Sequence, residues 1–156
     1  MYTFHRLAEI DGPTWLTLLN NRDVQRHMPL SDVWTAEAAE EWARGKDAQW
    51  IANGYGPWAL RVDGQFAGWG GFQKEGDDAD FGLVMLPEFW GKGLHFHNLM
   101  VEKAFSELGL ASITILLPPS RVRLKGLDRL GYVPEGELHY DGHRFLKFRM
   151  WPKPQG

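Results

Sequence analysis

The chain has 156 residues, 44% of them hydrophobic and 24% charged, which is typical of one folded domain and excludes long disordered or fibrous segments. The net charge of −3 argues against a dedicated nucleic-acid binder. The absence of cysteine excludes disulfides, thiolate metal sites and a cysteine nucleophile. No signal peptide or bilayer-spanning stretch is evident, so we expect a cytoplasmic protein without membrane or nucleic-acid partners.

The first third of the chain predicts a strand followed by two helices. Residues 2–8 alternate between apolar and polar side chains, which indicates a strand. Asp11, followed by Pro13, indicates the N-cap and the first turn of a helix. Thr35 is expected to cap a second helix of about 18 residues, which Gly54 ends. The segment between these helices, DVQRHMPL, contains His27.

The middle of the chain predicts three strands and a helix. PWALRV and QFAGWGGFQ are joined by Asp63–Gly64, a pair that favours a tight hairpin turn. ADFGLVML then follows as a largely apolar run suited to a central strand, which Pro87 ends. Apolar residues recur at helical spacing over residues 92–108, and Gly109 is a plausible end of that helix.

The remainder predicts a buried strand, a short helix and a final hairpin. ASITILL is halted by Pro118–Pro119, after which Ser120 is expected to cap a helix that runs to Leu130. Asp141–Gly142 then joins the two strands of the hairpin. The order β-α-α-β-β-β-α-β-α-β-β contains no linker or repeat, so we predict one α/β domain with a mixed sheet over residues 1–156.

Tryptophan and charge are distributed unusually. The eight tryptophans are spread along the chain, and we interpret them mainly as core and groove lining. Residues 1–80 carry 7 basic and 13 acidic side chains, whereas residues 81–156 carry 10 and 7. This asymmetry suggests that the second half meets an anion.

The stretch VMLPEFWGKGL is the most informative for function. A strand ends, and two glycines lead directly into a helix. The first turn of a helix offers unpaired N–H groups and a positive dipole end, and glycine permits close approach to them. Together these features favour a phosphate or pyrophosphate site, although a tight turn without a ligand has the same pattern.

LPEFWGKGL resembles the acetyl-coenzyme A loop of the GNAT superfamily of N-acetyltransferases, and most resembles its RimJ/RimL-type branch. GQFAGWGGFQ is similar to the family's substrate-side hairpin strand, and LDRLGYVPEGEL to its L-E-K-L-G-F-x-x-E-G motif. The order of elements also matches from the first strand to the last hairpin. The resemblance implies a mixed, mostly antiparallel central sheet with flanking helices. It also implies an acyltransferase that moves the acetyl group of acetyl-coenzyme A to a primary amine by direct attack in a ternary complex.

The resemblance also implies which residues bind the cofactor. Those that correspond to the pantetheine-binding strand are Leu83, Val84, Met85 and Leu86. Those that correspond to the pyrophosphate loop are Trp90, Gly91, Lys92, Gly93, Leu94 and His95. Those expected beside the 3′-phosphate are Ser120, Arg121 and Lys125, because Arg121, Lys125 and Arg129 would form one cationic stripe on the predicted helix. No metal is implied.

The sequence departs from the family pattern at several positions. His95 replaces a glycine or alanine, and a bulky side chain there is expected to crowd the cofactor. Leu127 stands where many members have a tyrosine general acid, and Ser120 and Arg123 replace the branch's Asn and Ser. Asp80, at the start of the fourth strand, is the candidate general base, although a solvated strand-end carboxylate has the same position.

Three interpretations therefore remain open at the level of sequence. The first is an N-acetyltransferase, and the second is a coenzyme A-binding domain with weak or no catalysis. The third is a ligand-free interaction module in which tryptophans form a partner surface. For the enzyme, the acceptor is a small-molecule amine or a protein N-terminus, and we expect a monomer or a homodimer. His95 and His97 are two positions apart, so on a helix they point in nearly opposite directions and cannot bind one metal ion.

Overall fold

The computed structural model describes residues 1–26 and 33–154, and a seven-stranded sheet is its main element. The strands are β1 (Tyr2–His5), β2 (Pro57–Val62), β3 (Gln65–Glu75), β4 (Asp78–Met85), β5 (Ile113–Leu117), β6 (Val133–Tyr140) and β7 (His143–Met150). Their order across the sheet is β1-β2-β3-β4-β5-β7-β6. β4 and β5 run parallel, whereas the other pairs with a described register run antiparallel. The predicted mixed, mostly antiparallel sheet is therefore confirmed.

Helices flank this sheet in the predicted order. They are α1 (Gly12–Leu19), α2 (Arg22–Gln25), α3 (Ala36–Asp47), α4 (Gln49–Asn53), α5 (Gly93–Ser106) and α6 (Leu124–Leu130). Short 3-10 turns lie at Leu7–Glu9, Pro87–Lys92 and Pro119–Arg121. His27, in the segment predicted between the first two helices, lies outside the described residues.

The chain divides into two compact units. The first unit comprises Met1–Gly71 and Leu83–Val101, and the second comprises Phe72–Gly82 and Glu102–Gly156. Because the chain passes between the units within β3 and within β4, both units contribute to the same strands. The single domain over residues 1–156 stays a prediction.

Tryptophans form much of the interior of the first unit. The ring of Trp42 packs edge-to-face against Trp15 and Trp69, with centroids 5.1 and 5.3 Å apart. Trp15 is fully buried, and Trp58 and Trp69 are each 8% exposed. Edge-to-face ring pairs add stability beyond the area they bury. The interpretation of these three tryptophans as core residues is confirmed.

Both predicted Asp-Gly turns are present. Asp63 and Gly64 have φ values of 50° and 81° between β2 and β3, and Asp141 and Gly142 have values of 52° and 78° between β6 and β7. Two consecutive positive φ values are those of a type I′ turn, whose twist matches that of the two strands. The local sequence therefore determines both hairpins.

The predicted caps of the first two helices are also confirmed. The Asp11 carboxylate accepts a hydrogen bond from the Thr14 N–H at 3.3 Å, and the Thr35 hydroxyl accepts one from Ala38 at 3.1 Å. The helix that follows Thr35 is divided, however, into α3 and α4. At the division, the Ile51 N–H bonds to the Ala48 carbonyl three residues earlier, which tightens the chain into a 3-10 turn.

The first predicted strand is too long, because β1 ends at His5 rather than at residue 8. The Leu7 N–H donates to the Asp47 carboxylate at 3.0 Å, and the Arg6 guanidinium binds the same carboxylate. These contacts from α3 satisfy groups that a longer strand would offer to a neighbour, so the chain turns at Leu7–Glu9.

The predicted start of the helix before the final hairpin, α6 in the structure, is wrong. Ser120 lies in the 3-10 turn Pro119–Arg121, and α6 begins at Leu124 without a side-chain cap. The prolines at 118 and 119 favour an extended entry followed by a short turn. Arg121 therefore lies outside the helix, and the three-residue cationic stripe is not formed. Leu127 is buried as expected, but Leu124 is 62% exposed.

Candidate active site

In the first unit, β4 is followed by a turn that leads directly into α5. The turn spans Pro87–Lys92, and α5 begins at Gly93. The indole N–H of Trp90 donates to the Met85 carbonyl at 2.8 Å, and Phe89 is buried beneath the turn. These contacts fix the start of α5 relative to the end of β4, in the position that the sequence predicted for an anion site.

The glycines of this turn are surrounded by open space. A Cβ atom built on Gly91 meets no other atom within 4 Å, and one on Gly93 meets only the Leu83 side chain at 3.7 Å. Neither glycine has a positive φ. Folding therefore does not require glycine at either position. The Gly93 N–H donates to the Trp90 carbonyl, so the first donor of α5 is already paired. The missing side chains leave the backbone beside the two glycines uncovered.

A different reason accounts for Gly68 in β3. A Cβ atom there would lie 2.1 Å from the Val84 carbonyl oxygen, and the φ of Gly68 is 152°. No side chain fits at that distance, so Gly68 is needed for packing. The two kinds of glycine occur in the same unit, and Gly91 and Gly93, unlike Gly68, have open space beside them.

His95, the residue expected to crowd the cofactor, packs against β1. Its ring stacks on Tyr2, with centroids 4.4 Å apart and planes inclined by 20°. Tyr2 in turn contacts the buried ring of Phe96. No side-chain atom of His95 lies within 4 Å of a Cβ atom built on Gly91 or Gly93. The crowding of a bound cofactor by His95 stays a prediction.

Asp80, the candidate base, lies near the start of β4 in the second unit. Its carboxylate accepts a hydrogen bond from the Thr114 hydroxyl at 2.7 Å, and Thr114 is its register partner on β5. Burial raises the pKa of Asp80 to about 6, against the lowering effect of the Thr114 hydrogen bond. Glu75 raises this pKa further by repulsion. A carboxylate with this pKa is a plausible proton acceptor near neutrality.

Asp78, two residues earlier, has the opposite environment. Its carboxylate binds Lys147 at 2.7 Å and Arg149 at 2.9 Å. The Lys147 hydrogen bond is the main cause that lowers the pKa of Asp78. Glu135 binds Arg149 at 2.8 Å and Lys147 at 3.8 Å, so two acids and two bases form a neutral network. Asp78 is thus a structural anion, whereas Asp80 is poised to titrate.

A cleft of about 240 Å³ lies beside these groups in the second unit. Its charged lining comes from Glu75, Asp78 and Lys147, and its apolar lining comes from Leu116 and Leu138. Thr114 also lines the cleft and donates to Asp80, so a molecule in the cleft lies beside the partner of the candidate base.

Sequence reasoning missed Thr114 and Tyr132. Both are nearly fully buried, and burial together with the nearby Asp80 carboxylate raises the pKa of the Tyr132 phenol. Thr114 is the one hydroxyl within the β-branched run ITILL, which is the only signal that could have identified it. Of the residues expected near a 3′-phosphate, Ser120 and Arg121 share the 3-10 turn, while Lys125 lies on α6.

The comparison with known families agrees with this arrangement. The sequence pattern of the acetyltransferase (GNAT) domain matches residues 3–120. The chain belongs to the GNAT acetyltransferase family. It is therefore an acyltransferase, and GNAT enzymes use acetyl-coenzyme A as donor and amines as acceptors.

Solved GNAT structures share the fold at low sequence identity. A protein assigned to this family from Bordetella pertussis is 16% identical, with a TM-score of 0.73 over 96% of this chain and 95% of that one. An acetyltransferase from Agrobacterium tumefaciens is 16% identical, with a TM-score of 0.71 over 97% and 91%. A chimeric spermidine N-acetyltransferase from Vibrio cholerae is 17% identical, with a TM-score of 0.69 over 96% and 94%.

Among residues 1–26 and 33–154, no group of three or more His, Asp or Glu side chains is arranged to bind a metal ion. In the same residues, no helix is long and apolar enough to cross a membrane.

Proposed function

We propose that this protein is an N-acetyltransferase that transfers the acetyl group of acetyl-coenzyme A to a primary amine by direct attack in a ternary complex. The open backbone at Gly91 and Gly93 carries the proposal. These glycines are not required by packing, and without side chains they leave the backbone at the start of a 14-residue helix uncovered. Such a helix start suits a pyrophosphate, which accepts several hydrogen bonds and carries negative charge.

The cofactor would extend from this loop along the end of β4. The described pairing of β4 with β5 ends at Phe81, and β4 continues to Met85. The backbone of Leu83–Leu86 would hold the pantetheine arm, and residues 90–95 would hold the pyrophosphate. Arg121, Lys125 and the Ser120 hydroxyl are proposed near the 3′-phosphate, now as separate groups rather than as a helical stripe.

Asp80 is the proposed general base. When bound, acetyl-coenzyme A supplies the thioester whose carbonyl carbon the amine nitrogen attacks, and coenzyme A leaves as its thiol. The nitrogen becomes strongly acidic as its new bond to carbon forms, so a carboxylate with a pKa of about 6 suffices to accept its proton. Thr114 orients the carboxylate through its hydroxyl. Leu127 stands at the position where many members have a tyrosine general acid, and its side chain is buried in α6.

The W-G-K-G sequence of the loop supports membership of the RimJ/RimL-type branch. A small-molecule amine and a protein N-terminus are both acceptors of the proposed reaction, and spermidine is the substrate named for one structural neighbour. A cytoplasmic location and a monomeric or homodimeric state stay predictions from the sequence.

Thermal melting with coenzyme A tests the proposal. A ligand at about 100 times its dissociation constant adds about 2.7 kcal/mol to the free energy of unfolding. For a chain of this size we expect the melting temperature to rise by roughly 5–10 °C. A melting curve unmoved by millimolar cofactor would refute the proposal. Cofactor binding without acetylation of any member of a broad amine panel would instead identify a coenzyme A-binding domain.

A further inference from the structure

The cleft in the second unit combines two kinds of surface. Leu116 and Leu138 provide an apolar wall, which suits a hydrocarbon chain. Thr114 lines the same cleft and binds the carboxylate of Asp80 at 2.7 Å. An acceptor that occupies the cleft therefore rests its chain on the leucines and lies beside Thr114, the hydrogen-bond partner of the candidate base.

The cations near this cleft already have anionic partners. Lys147 binds Asp78 at 2.7 Å, and Arg149 binds Asp78 and Glu135 at 2.9 and 2.8 Å. The side chains of Lys147 and Arg149 are 22% and 14% exposed, so this network is partly desolvated. Removing either cation from its partners to bind an acceptor carboxylate would leave an anion unpaired, which is costly in such surroundings.

Glu75 carries a negative charge that no cation of the Lys147 and Arg149 network balances. It lines the cleft at the end of β3 and is exposed, and it has no ion pair within residues 1–26 and 33–154. Repulsion by Glu75 is one cause of the raised pKa of Asp80, after burial. With Asp78, Glu135, Lys147 and Arg149 balanced, the groups around the cleft carry net negative charge from Glu75 and ionised Asp80.

We propose that this cleft selects an aliphatic acceptor with a second positive charge, such as a diamine, over acceptors that are monoamines or carry a carboxylate. The second ammonium binds Glu75, the methylene chain contacts Leu116 and Leu138, and the reacting amine lies at Asp80. This inference rests on the proposed acetyltransferase function and names the acceptor class of the same site.

Three acceptors of matched length test the inference: cadaverine, pentylamine and δ-aminovalerate. We expect kcat/KM for cadaverine to exceed that for pentylamine by about fivefold, the upper end of what an exposed ion pair contributes. The kcat/KM for δ-aminovalerate should be lower than that for pentylamine, because the negative charge at the cleft repels its carboxylate. High salt should narrow all of these differences, since it screens exposed charges.

Variants of Glu75 sharpen the test. Glu75→Gln should bring the ratio of kcat/KM for cadaverine to kcat/KM for pentylamine close to one. Glu75→Lys should raise kcat/KM for δ-aminovalerate relative to the other two acceptors. Asp77→Asn is the matched control, because Asp77 is an exposed carboxylate in the turn that follows Glu75 and does not line the cleft. Its cadaverine-to-pentylamine ratio of kcat/KM should equal that of the parent protein. Because Glu75 is exposed, neither substitution disturbs the core.

Equal rates for the three acceptors, or a cadaverine preference that survives in Glu75→Gln, would overturn the inference. Acetylation of other amines but of none of these three would also overturn it, while leaving the acetyltransferase proposal intact. Failure of the acetyltransferase proposal itself would be seen separately, as a melting temperature that coenzyme A does not change.

Discussion

The start of β4 and the turn that follows its end accommodate charged groups in different ways. The start of β4 uses side chains: Asp78 is neutralised by Lys147 and Arg149, while Asp80 is partly buried and accepts a hydrogen bond from Thr114. The turn uses the backbone, because Gly91 and Gly93 have no side chain to cover the start of α5.

The difference determines how each region can be perturbed. A side-chain carboxylate can be neutralised without changing its shape, so its role should appear in turnover and in pH dependence. A backbone N–H cannot be removed in this way and can only be covered, so its role should appear in cofactor affinity. We make four predictions that distinguish an effect on turnover or pH dependence from an effect on cofactor affinity, beginning with the largest expected effect.

The largest expected effect is on turnover. Asp80→Asn should lower kcat by about 10²–10⁴-fold, the usual contribution of a general base, and leave coenzyme A affinity nearly unchanged. Initial rates at saturating amine and calorimetric titration with coenzyme A measure the two quantities. Asp77→Asn serves as the control, with both parameters unchanged. Parent-like turnover in Asp80→Asn would assign Asp80 a purely structural role.

The same substitution should stabilise the fold near neutral pH. The pKa of Asp80 is raised from 3.8 to about 6, so the ionised carboxylate lowers the free energy of unfolding by about 3 kcal/mol above pH 6. This cost disappears as the pH falls from 6 toward 4, where the folded protein binds the proton first. Glu75, Asp78 and Lys147 also act on this group, and Tyr132 lies near it.

Denaturant titrations at about pH 7.5 and about pH 4, above the folded pKa of Asp80 and near its ordinary value, measure this stability difference. Asp80→Asn should be the more stable protein at the higher pH and lose its advantage at the lower one. Activity of the parent protein should rise with pH through about 6, because the base must be ionised to accept a proton. An advantage that is equal at both pH values would exclude titration of Asp80 as its cause.

Covering the backbone of the turn should weaken cofactor binding by a smaller factor. Gly91→Ala and Gly93→Ala should each raise the dissociation constant for coenzyme A by about tenfold, as expected for a hindered hydrogen bond to a charged group. Neither should lower the melting temperature, because the new methyl groups have space. Gly45→Ala, in α3 and equally unobstructed, is the control. Unchanged coenzyme A affinity in both loop variants would contradict a pyrophosphate site here.

The smallest expected effect concerns exposed cations. Arg121→Glu with Lys125→Glu should weaken coenzyme A binding by about fivefold and barely affect dephospho-coenzyme A, since exposed ion pairs are weak. Added salt should reduce the difference, because the Debye length is only about 8 Å at physiological ionic strength. Parallel titrations with the two cofactors measure it. Equal losses for both would show that these residues do not contact the 3′-phosphate.

Features that depend on neighbouring residues were predictable from the sequence. The turn at Asp63–Gly64 and the caps at Asp11 and Thr35 need only residues within one turn, so their patterns were sufficient. The cap at Ser120 failed because Pro118 and Pro119 favour a separate turn before α6. Competing local signals were thus the source of that error.

Features that depend on distant residues were not predictable. Thr114 and Asp80 are 34 positions apart, and their hydrogen bond follows from the register of β4 with β5, which a single sequence does not specify. The stacking of His95 on Tyr2 likewise joins the start of α5 to β1. Sequence patterns therefore identified Asp80 as a candidate but could not give the environment that raises its pKa.

The distribution of indoles has a consequence for spectroscopy. Seven of the eight tryptophans belong to the first unit, and only Trp151 belongs to the second. Intrinsic fluorescence will therefore report almost entirely on the first unit, and the closely packed rings of Trp15, Trp42 and Trp69 should give exciton bands in circular dichroism. An unfolding curve followed by fluorescence alone would miss separate melting of the second unit, which contains Asp80. Backbone circular dichroism would detect it.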